Sequence, residues 1–327
     1  MEKVQVLLAS YNGGSFIEEQ IESILSQENV IISLMIRDDG SNDGSIERIQ
    51  DLYKSDDRIV VVQNRTTKKG HLNNFSALCD LGVGSDADYF AFSDQDDRWH
   101  VNKLSKCLSR LKEIELKQSK ETPVLIHSDL RVVDQDLKEI APSFIRYQGI
   151  PEPDRHQHET FLHQNVATGC TFLFNRALLS LAAPVPFDAV IHDWWFALVA
   201  KFYGVIEFID TPLIDYRQHE SNSIGAISAS EQRNLFNGKL IKALLKYPSH
   251  LAASVEQAKQ LLSLSQVKPN IDIDTLYLKK ISQFSTLKEQ SFIERVKYVN
   301  ATLAGHKPIE ERLYFYVVLF IIPWIKD

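Results

Sequence analysis

The sequence predicts an α/β protein, with a sheet assembled from βαβ units over residues 1–230 and a helical region over residues 231–327. Three observations predict it. Short apolar runs alternate with amphipathic helical periods in the first third of the chain, turn-rich acidic segments follow two of those runs, and from Glu231 onward apolar residues recur at three and four.

Taken in order, Val4–Ala9 reads as the first strand. Ser15, with Glu18 three residues later, has the pattern of a capping box and opens a helix over Phe16–Gln27 whose Ile17, Ile21, Ile24 and Leu25 share a face. Val30–Ile36 is a second strand, and the loop Asp38–Ser45 leads into a helix bearing Ile46, Ile49 and Leu52. Arg58–Val62 is a third strand, Leu72–Leu81 a helix, and Asp88–Phe92 a fourth strand running into Ser93-Asp94-Gln95-Asp96-Asp97. A long amphipathic helix follows Trp99 as far as Lys117. Further strands are expected at Pro123–His127, Thr171–Asn175 and Val205–Ile209, the last two flanking a helix that contains His192-Asp193-Trp194-Trp195. Residues 137–166 show no period and read as an irregular excursion, while Pro248, Pro269 and Pro308 mark helix starts.

Charge is unevenly divided. The 327 residues carry 43 Asp+Glu and 36 Lys+Arg, a formal −7. Beyond residue 230 there are 14 Lys+Arg and 9 Asp+Glu, so a net −12 in the first part meets a net +5 in the second. An acidic chain of this kind does not coat nucleic acid through a general basic surface. Cys79, Cys107 and Cys170 are odd in number and widely spaced, which fits reduced thiols in a cytoplasmic setting. Val4–Ala9 is too short for a signal-peptide core. Tyr314–Ile325 is twelve residues without a charge, shorter than the ~20 that cross a bilayer, so it suits peripheral contact with the inner face of the cell membrane. Packing on the domain or in a homo-oligomer interface is the other reading of this tail.

In open α/β sheets ligands gather beyond the carboxyl ends of the strands, and two acidic groups stand there: Asp38-Asp39 and Asp94/Asp96/Asp97. Three carboxylates in four residues repel one another unless a cation or hydrogen-bond donors compensate. Asp94 and Asp96 project to one side of an extended segment, and hard oxygen donors favour Mg²⁺ or Mn²⁺. A solvated turn is the plainer reading. A calcium loop counted from Asp39 has Gly44 at its sixth position but Gln50 where the twelfth-position Glu belongs, so that reading fails. No G-x-x-x-x-G-K-S/T loop is present, and Ala9-Ser10-Tyr11-Asn12-Gly13-Gly14 stands where a dinucleotide fingerprint would follow the first strand.

Together Val6–Gln27 (VLLASYNGGSFIEEQIESILSQ), Ile36–Ser45 (IRDDGSNDGS), Tyr89–Leu104 (YFAFSDQDDRWHVNKL) and Ala167–Leu179 (ATGCTFLFNRALL) resemble the family 2 nucleotide-sugar glycosyltransferases of the GT-A fold, over about residues 3–225. The stretch from Ile191 to Gly225 is similar to bacterial enzymes that build surface polysaccharides, including rhamnosyltransferases. The resemblance implies a GT-A type doubly wound mixed sheet with flanking helices. It implies an inverting, Mn²⁺- or Mg²⁺-dependent transfer from a nucleoside diphosphate sugar, of the dTDP-rhamnose or UDP-hexose type, to a surface polysaccharide or lipid-linked glycan.

Residue by residue, the resemblance places Ser10, Tyr11 and Asn12 beside base and ribose, with Asp39 bonding the base and Asp38 beside it. Asp94 and Asp96 match the Asp-x-Asp motif for ribose, diphosphate and metal, and Asp97 is the following acidic residue. His219 is expected at the metal or diphosphate, Arg217 at the phosphates, and Asp193 as catalytic base, with helix capping as its plain alternative. Trp194 and Trp195 suit a sugar-binding wall or a core, and His192, His163 and the Asn165/Thr168 region lie toward the acceptor. Two alternatives stay open: a sugar-nucleotide pyrophosphorylase, which lacks its basic loop here, and a non-catalytic transferase-like scaffold.

Overall fold

The computed structural model describes residues 1–150, 157–219, 226, 239–267 and 273–303. The parallel strands β1 (Lys3–Ser10), β2 (Ile31–Asp38), β3 (Ile59–Gln63) and β4 (Tyr89–Ser93) alternate with helices α1 (Phe16–Leu25), α2 (Ser45–Leu52) and α3 (His71–Val83). Then come β5 (Arg98–Trp99), α4 (Lys103–Lys117), β6 (Val124–Val133), β7 (Glu139–Ala141), α5 (Phe144–Gln148), α6 (His158–His163), β8 (Leu173–Asn175), α7 (Arg176–Ala182), α8 (His192–Tyr203) and β9 (Val205–Arg217). All nine strands form one sheet in the order β3-β2-β1-β4-β8-β6-β9-β5, with β7 on β6. It is mixed, because β8 runs antiparallel to both β4 and β6, and β5 antiparallel to β9.

Strand side chains alternate between two cores. Leu7, Phe90, Phe92, Phe172 and Phe174 face α3, α7 and α8, whereas Val6, Leu8, Ala91 and Leu173 face α1, α2 and α4. Helix α9 (Lys239–Val267) buries Leu251, Val255, Ala258 and Leu261, and α10 (Thr275–Ser285) buries Ile281 and Phe284, in the first of these cores. The C-terminal helices therefore pack on α6 and α8. The expected domain boundary near residue 230 and the tail Tyr314–Ile325 lie outside the described residues. No helix of the described residues is long and apolar enough to cross a membrane.

Four local expectations are corrected. Ser15 has helical backbone angles, so its hydroxyl makes no capping bond; Glu18 pairs instead with Arg48 at 2.9 Å, and Asp43 takes up the Gly14 N–H at 2.8 Å. Pro248 lies inside α9 rather than at a helix start. Pro269 and Pro308 lie outside the described residues. The stretch read as irregular holds β7, α5 and α6, elements too short to show a period.

Trp194 and Trp195 are the fourth correction. Each is 1% exposed, and their indole N–H groups donate to Phe161 O at 2.6 Å and Ala182 O at 2.8 Å. They cannot form a sugar-binding wall. Helix α8 is apolar on every side because it lies between the sheet and the C-terminal helices, the situation in which amphipathicity disappears. Trp195→Ala is expected to cost about 3–5 kcal/mol of stability, read as a large drop in the urea midpoint with little change in slope.

Candidate active site

The register pairs Ser10 with Asp38 and Leu8 with Ser93, so the carboxyl ends of β1, β2 and β4 open on one side of the sheet. Their loops are tied into a single rim. Asn12, at φ 50°, donates its N–H to Ser41 Oγ at 2.8 Å and accepts from the Asn42 N–H at 2.9 Å. Gln95 accepts from the Tyr11 N–H at 2.8 Å and donates to Tyr11 O at 3.0 Å, while the Ser10 hydroxyl donates to the same amide oxygen at 3.3 Å. Tyr11 itself is exposed at the mouth.

Asp38 and Asp39 are both buried and both organise loops. Asp38 accepts from the Gly40 and Ser41 N–H groups and from the Ser41 hydroxyl. Asp39 accepts from Asn64 Nδ2 at 2.7 Å and from the Gly70 N–H at 2.6 Å. Each carboxylate oxygen has two acceptor sites, so Asp39 keeps capacity for a further donor.

The three aspartates after β4 have different surroundings. Asp94 is half-buried, with His71 Nε2 at 3.5 Å from its Oδ1. Asp96 Oδ2 lies 3.0 Å from His219 Nε2, and burial and Asp94 push its pKa up against the pull of that histidine. Asp97 is fully buried; its Oδ1 accepts from the Arg217 N–H at 3.3 Å, while Oδ2 has no hydrogen-bond partner. Burial, reinforced by its two acidic neighbours, lifts the Asp97 pKa well above the usual carboxylate range. Cys170 stands against it, and one ligand atom from each of Asp94, Asp97 and Cys170 falls within 4.8 Å of the others.

A buried cation lies behind these acids. Lys103 is fully buried, its Nζ sits 3.2 Å from the centroid of the Trp99 ring without a hydrogen bond, and burial lowers its pKa to about 8. An orphaned buried carboxylate oxygen among hard donors fits a divalent cation. Among the described residues the set that gathers for one is Asp94, Asp97 and Cys170, whereas Asp96 and His219 form a pair of their own at 3.0 Å and do not converge with Asp97 as the resemblance implies.

Asp193 occupies the first turn of α8, near enough to Asp94 to feel its charge. Its Oδ2 accepts from the Gly169 N–H at 2.9 Å, and its Oδ1 from Asn165 Nδ2 at 3.1 Å and the Trp194 N–H at 2.6 Å. Burial raises its pKa to about 6, against the lowering effect of these donors and of His71. Gly169 is required by close approach, since a Cβ there would stand 2.8 Å from Asp193 Cβ and 3.2 Å from its Oδ2.

Several expected site residues have other uses. The buried Arg217 donates through Nε to Asp96 O at 2.9 Å and through its other nitrogens to Gln135 O and Glu19. Its guanidinium is thus spent on shaping the acidic loop rather than turned toward a diphosphate. His192 is buried and stacked on Phe75 at 3.7 Å, with neither ring nitrogen hydrogen-bonded, and burial holds its pKa well below the usual histidine value. It forms the floor under the cleft and does not reach an acceptor. His163 is also buried, whereas Asn165 reaches Asp193. His71, Gln95, Lys103, Gly169 and Cys170 escaped assignment from the sequence; all but His71 carried a signal, by lying inside the quoted motifs.

A carboxylate cluster at the ends of parallel strands, with a buried aspartate near it on a mixed sheet of this order, is the arrangement the resemblance to GT-A glycosyltransferases implies. The chain belongs to glycosyl transferase family 2, whose family model matches residues 5–180. It is 26% identical over 232 residues to the dTDP-rhamnosyl transferase RfbG of Shigella flexneri, covering 67% of this chain and 74% of that protein. It is also 35% identical over 105 residues to the UDP-Glc:alpha-D-GlcNAc-diphosphoundecaprenol beta-1,3-glucosyltransferase WfaP of Escherichia coli, 32% of this chain and 39% of that protein. Among solved structures, S. aureus TarS 1-349 in complex with UDP-GlcNAc is similar in fold, with a TM-score of 0.54 at 12% identity over 96% of this chain and 78% of that one.

Proposed function

We propose that this chain is an inverting, metal-dependent glycosyltransferase that moves a deoxyhexose or hexose from a nucleoside diphosphate sugar to a hydroxyl of a bacterial surface polysaccharide or lipid-linked glycan. The observation that carries the reading is Asp193, held by Gly169 and Asn165 and near enough to Asp94 and His71 to feel their charges. The similarity to RfbG favours dTDP-rhamnose as donor.

On this reading Ser10, Tyr11, Asn12, Asp38 and Asp39 flank the base and ribose, and Asp94 meets the ribose or diphosphate. Asp94 and Asp97, with Asp96 and His219 beside them, would hold Mn²⁺ or Mg²⁺, which would supply positive charge against the negative charge that grows on the leaving diphosphate. Asp193 takes the proton of the acceptor hydroxyl as that oxygen attacks the anomeric carbon from the face opposite the diphosphate. The bond from sugar to diphosphate breaks with its electron pair passing to the diphosphate, and the configuration inverts. Residues 1–230 form the catalytic domain on this reading, and residues 231–327 a helical region for membrane-interface contact or oligomerisation.

A thermal-shift panel tests the donor. Thymidine diphosphate with Mn²⁺ is expected to raise the melting temperature more than uridine, guanosine or cytidine diphosphate, and the shift should vanish with a chelator. A larger uridine diphosphate shift redirects the donor to a UDP-hexose, and no shift with any of the four contradicts the transferase reading.

A further inference from the structure

We propose that His71 is a donor-binding residue that contacts the pyranosyl ring of the nucleotide sugar and helps select which sugar is transferred. The inference rests on the transferase reading above and adds to it a residue that no sequence motif marks.

His71 begins α3, directly after Gly70, whose N–H is bound to Asp39 at 2.6 Å. Its backbone is therefore anchored to the loop on the base side of the cleft. Its side chain is 41% exposed. Nε2 stands 3.5 Å from Asp94 Oδ1, a long contact that leaves the ring free to bond elsewhere. Behind it the ring lies 5.0 Å from His192 and 4.9 Å from Phe75, so one face of the imidazole is backed by aromatic groups. The charged groups it faces are Asp94, Asp193 and Asp96.

The two histidines stand at different acids. His219 sits on Asp96, whereas His71 lies beside Asp94 with His192 and Asp193 beyond. In an inverting transfer the anomeric carbon must lie between the leaving diphosphate and the base, and that gap is where His71 projects. The carboxylates around the gap only accept hydrogen bonds when ionised, so they recognise sugar hydroxyls solely as donors. An imidazole adds a group that can donate to a hydroxyl oxygen and a flat face that packs on a pyranose ring. A buried polar contact of this kind discriminates strongly against a sugar that lacks the matching hydroxyl.

The test is isothermal titration of the full chain with Mn²⁺, using wild type, His71→Ala and His71→Gln, against thymidine diphosphate, dTDP-rhamnose, uridine diphosphate and UDP-glucose. For the pair that wild type binds best, His71→Ala is expected to weaken the sugar nucleotide tenfold or more and leave the free diphosphate within twofold. His71→Gln should recover part of the loss. Equal weakening of both ligands would place His71 at the phosphates or metal and overturn the inference alone, as would an unchanged sugar nucleotide affinity. Wild type that binds none of the four overturns the transferase reading and this inference with it.

Discussion

Asp193→Asn is expected to lower the transfer rate by about 10²–10⁴, the range that a positioned general base supplies, while nucleoside diphosphate affinity stays within about twofold. The asparagine keeps size and one acceptor oxygen, so either the Gly169 N–H or both Asn165 and the Trp194 N–H lose their acceptor, at a cost of about 1–3 kcal/mol. Stopped transfer with retained nucleotide binding separates a base from a structural cap; undiminished transfer removes Asp193 from the role. The same residue sets the acid side of the pH profile. Burial raises its pKa to about 6, so the ionised base is lost as pH falls through that value. The ratio kcat/KM should fall tenfold per pH unit below about 6 and level off above it. The stability contribution has the opposite trend: a carboxyl raised on folding binds a proton that the unfolded chain releases, so stability declines as pH rises from about 4 to about 6.

The second large effect belongs to the acidic cluster. Nucleoside diphosphate with Mn²⁺ at a hundredfold excess over Kd should stabilise wild type by about 2.7 kcal/mol. Asp96→Ala should abolish the Mn²⁺-dependent part of this stabilisation and lower the transfer rate at least about a hundredfold. It also removes the carboxylate that faces His219 at 3.0 Å. Asp96→Asn keeps the shape and a donor or acceptor for that histidine, and should fail in the same way. A variant stabilised by Mn²⁺ and nucleotide as well as wild type would remove Asp96 from the metal site.

Much of the half of the sheet that builds the nucleotide side was legible, since β1 to β4 are apolar runs separated by periodic helices whose faces point to a local core. The other half was not. Strands β6 and β9 continue well past their apolar starts into Asp129, Arg131, Asp215 and Arg217, charges that read as loop in one dimension. Each has found partners in three dimensions: Arg131 pairs with Asp215 across strands, Asp129 accepts from the Leu130 and Ile145 N–H groups, and Arg217 donates to Asp96 O and Glu19. Asp215, with no exposed side chain, accepts from Arg98 at 2.8 Å and Arg131 at 2.8 Å and faces His100 at 2.9 Å; these partners hold its pKa well below the usual range despite the burial that opposes them. Such pairing between residues more than eighty positions apart leaves no periodic trace in the sequence.

Within the site the same division holds. Carboxylates clustered in sequence, such as Asp94, Asp96 and Asp97, announce themselves by their mutual repulsion. Residues brought in singly do not: His71 and Lys103 are each one side chain on an ordinary helix, and only the packing of α3 and α4 against the strand ends turns them toward the acids. The tryptophans err in the other direction. Their chemistry suits a sugar, yet the C-terminal helices cover α8 and leave them no access to one.

The most direct test of the central claim is chromatographic analysis of nucleotides after incubating the full chain, wild type and Asp193→Asn, with dTDP-rhamnose or UDP-glucose, Mn²⁺ and a lipid-linked glycan fraction. Wild type is expected to release the nucleoside diphosphate from one donor as sugar enters the glycan, and Asp193→Asn to release it at least a hundredfold more slowly. Equal release by both proteins, or formation of a nucleoside triphosphate and sugar phosphate when pyrophosphate is added, would contradict it.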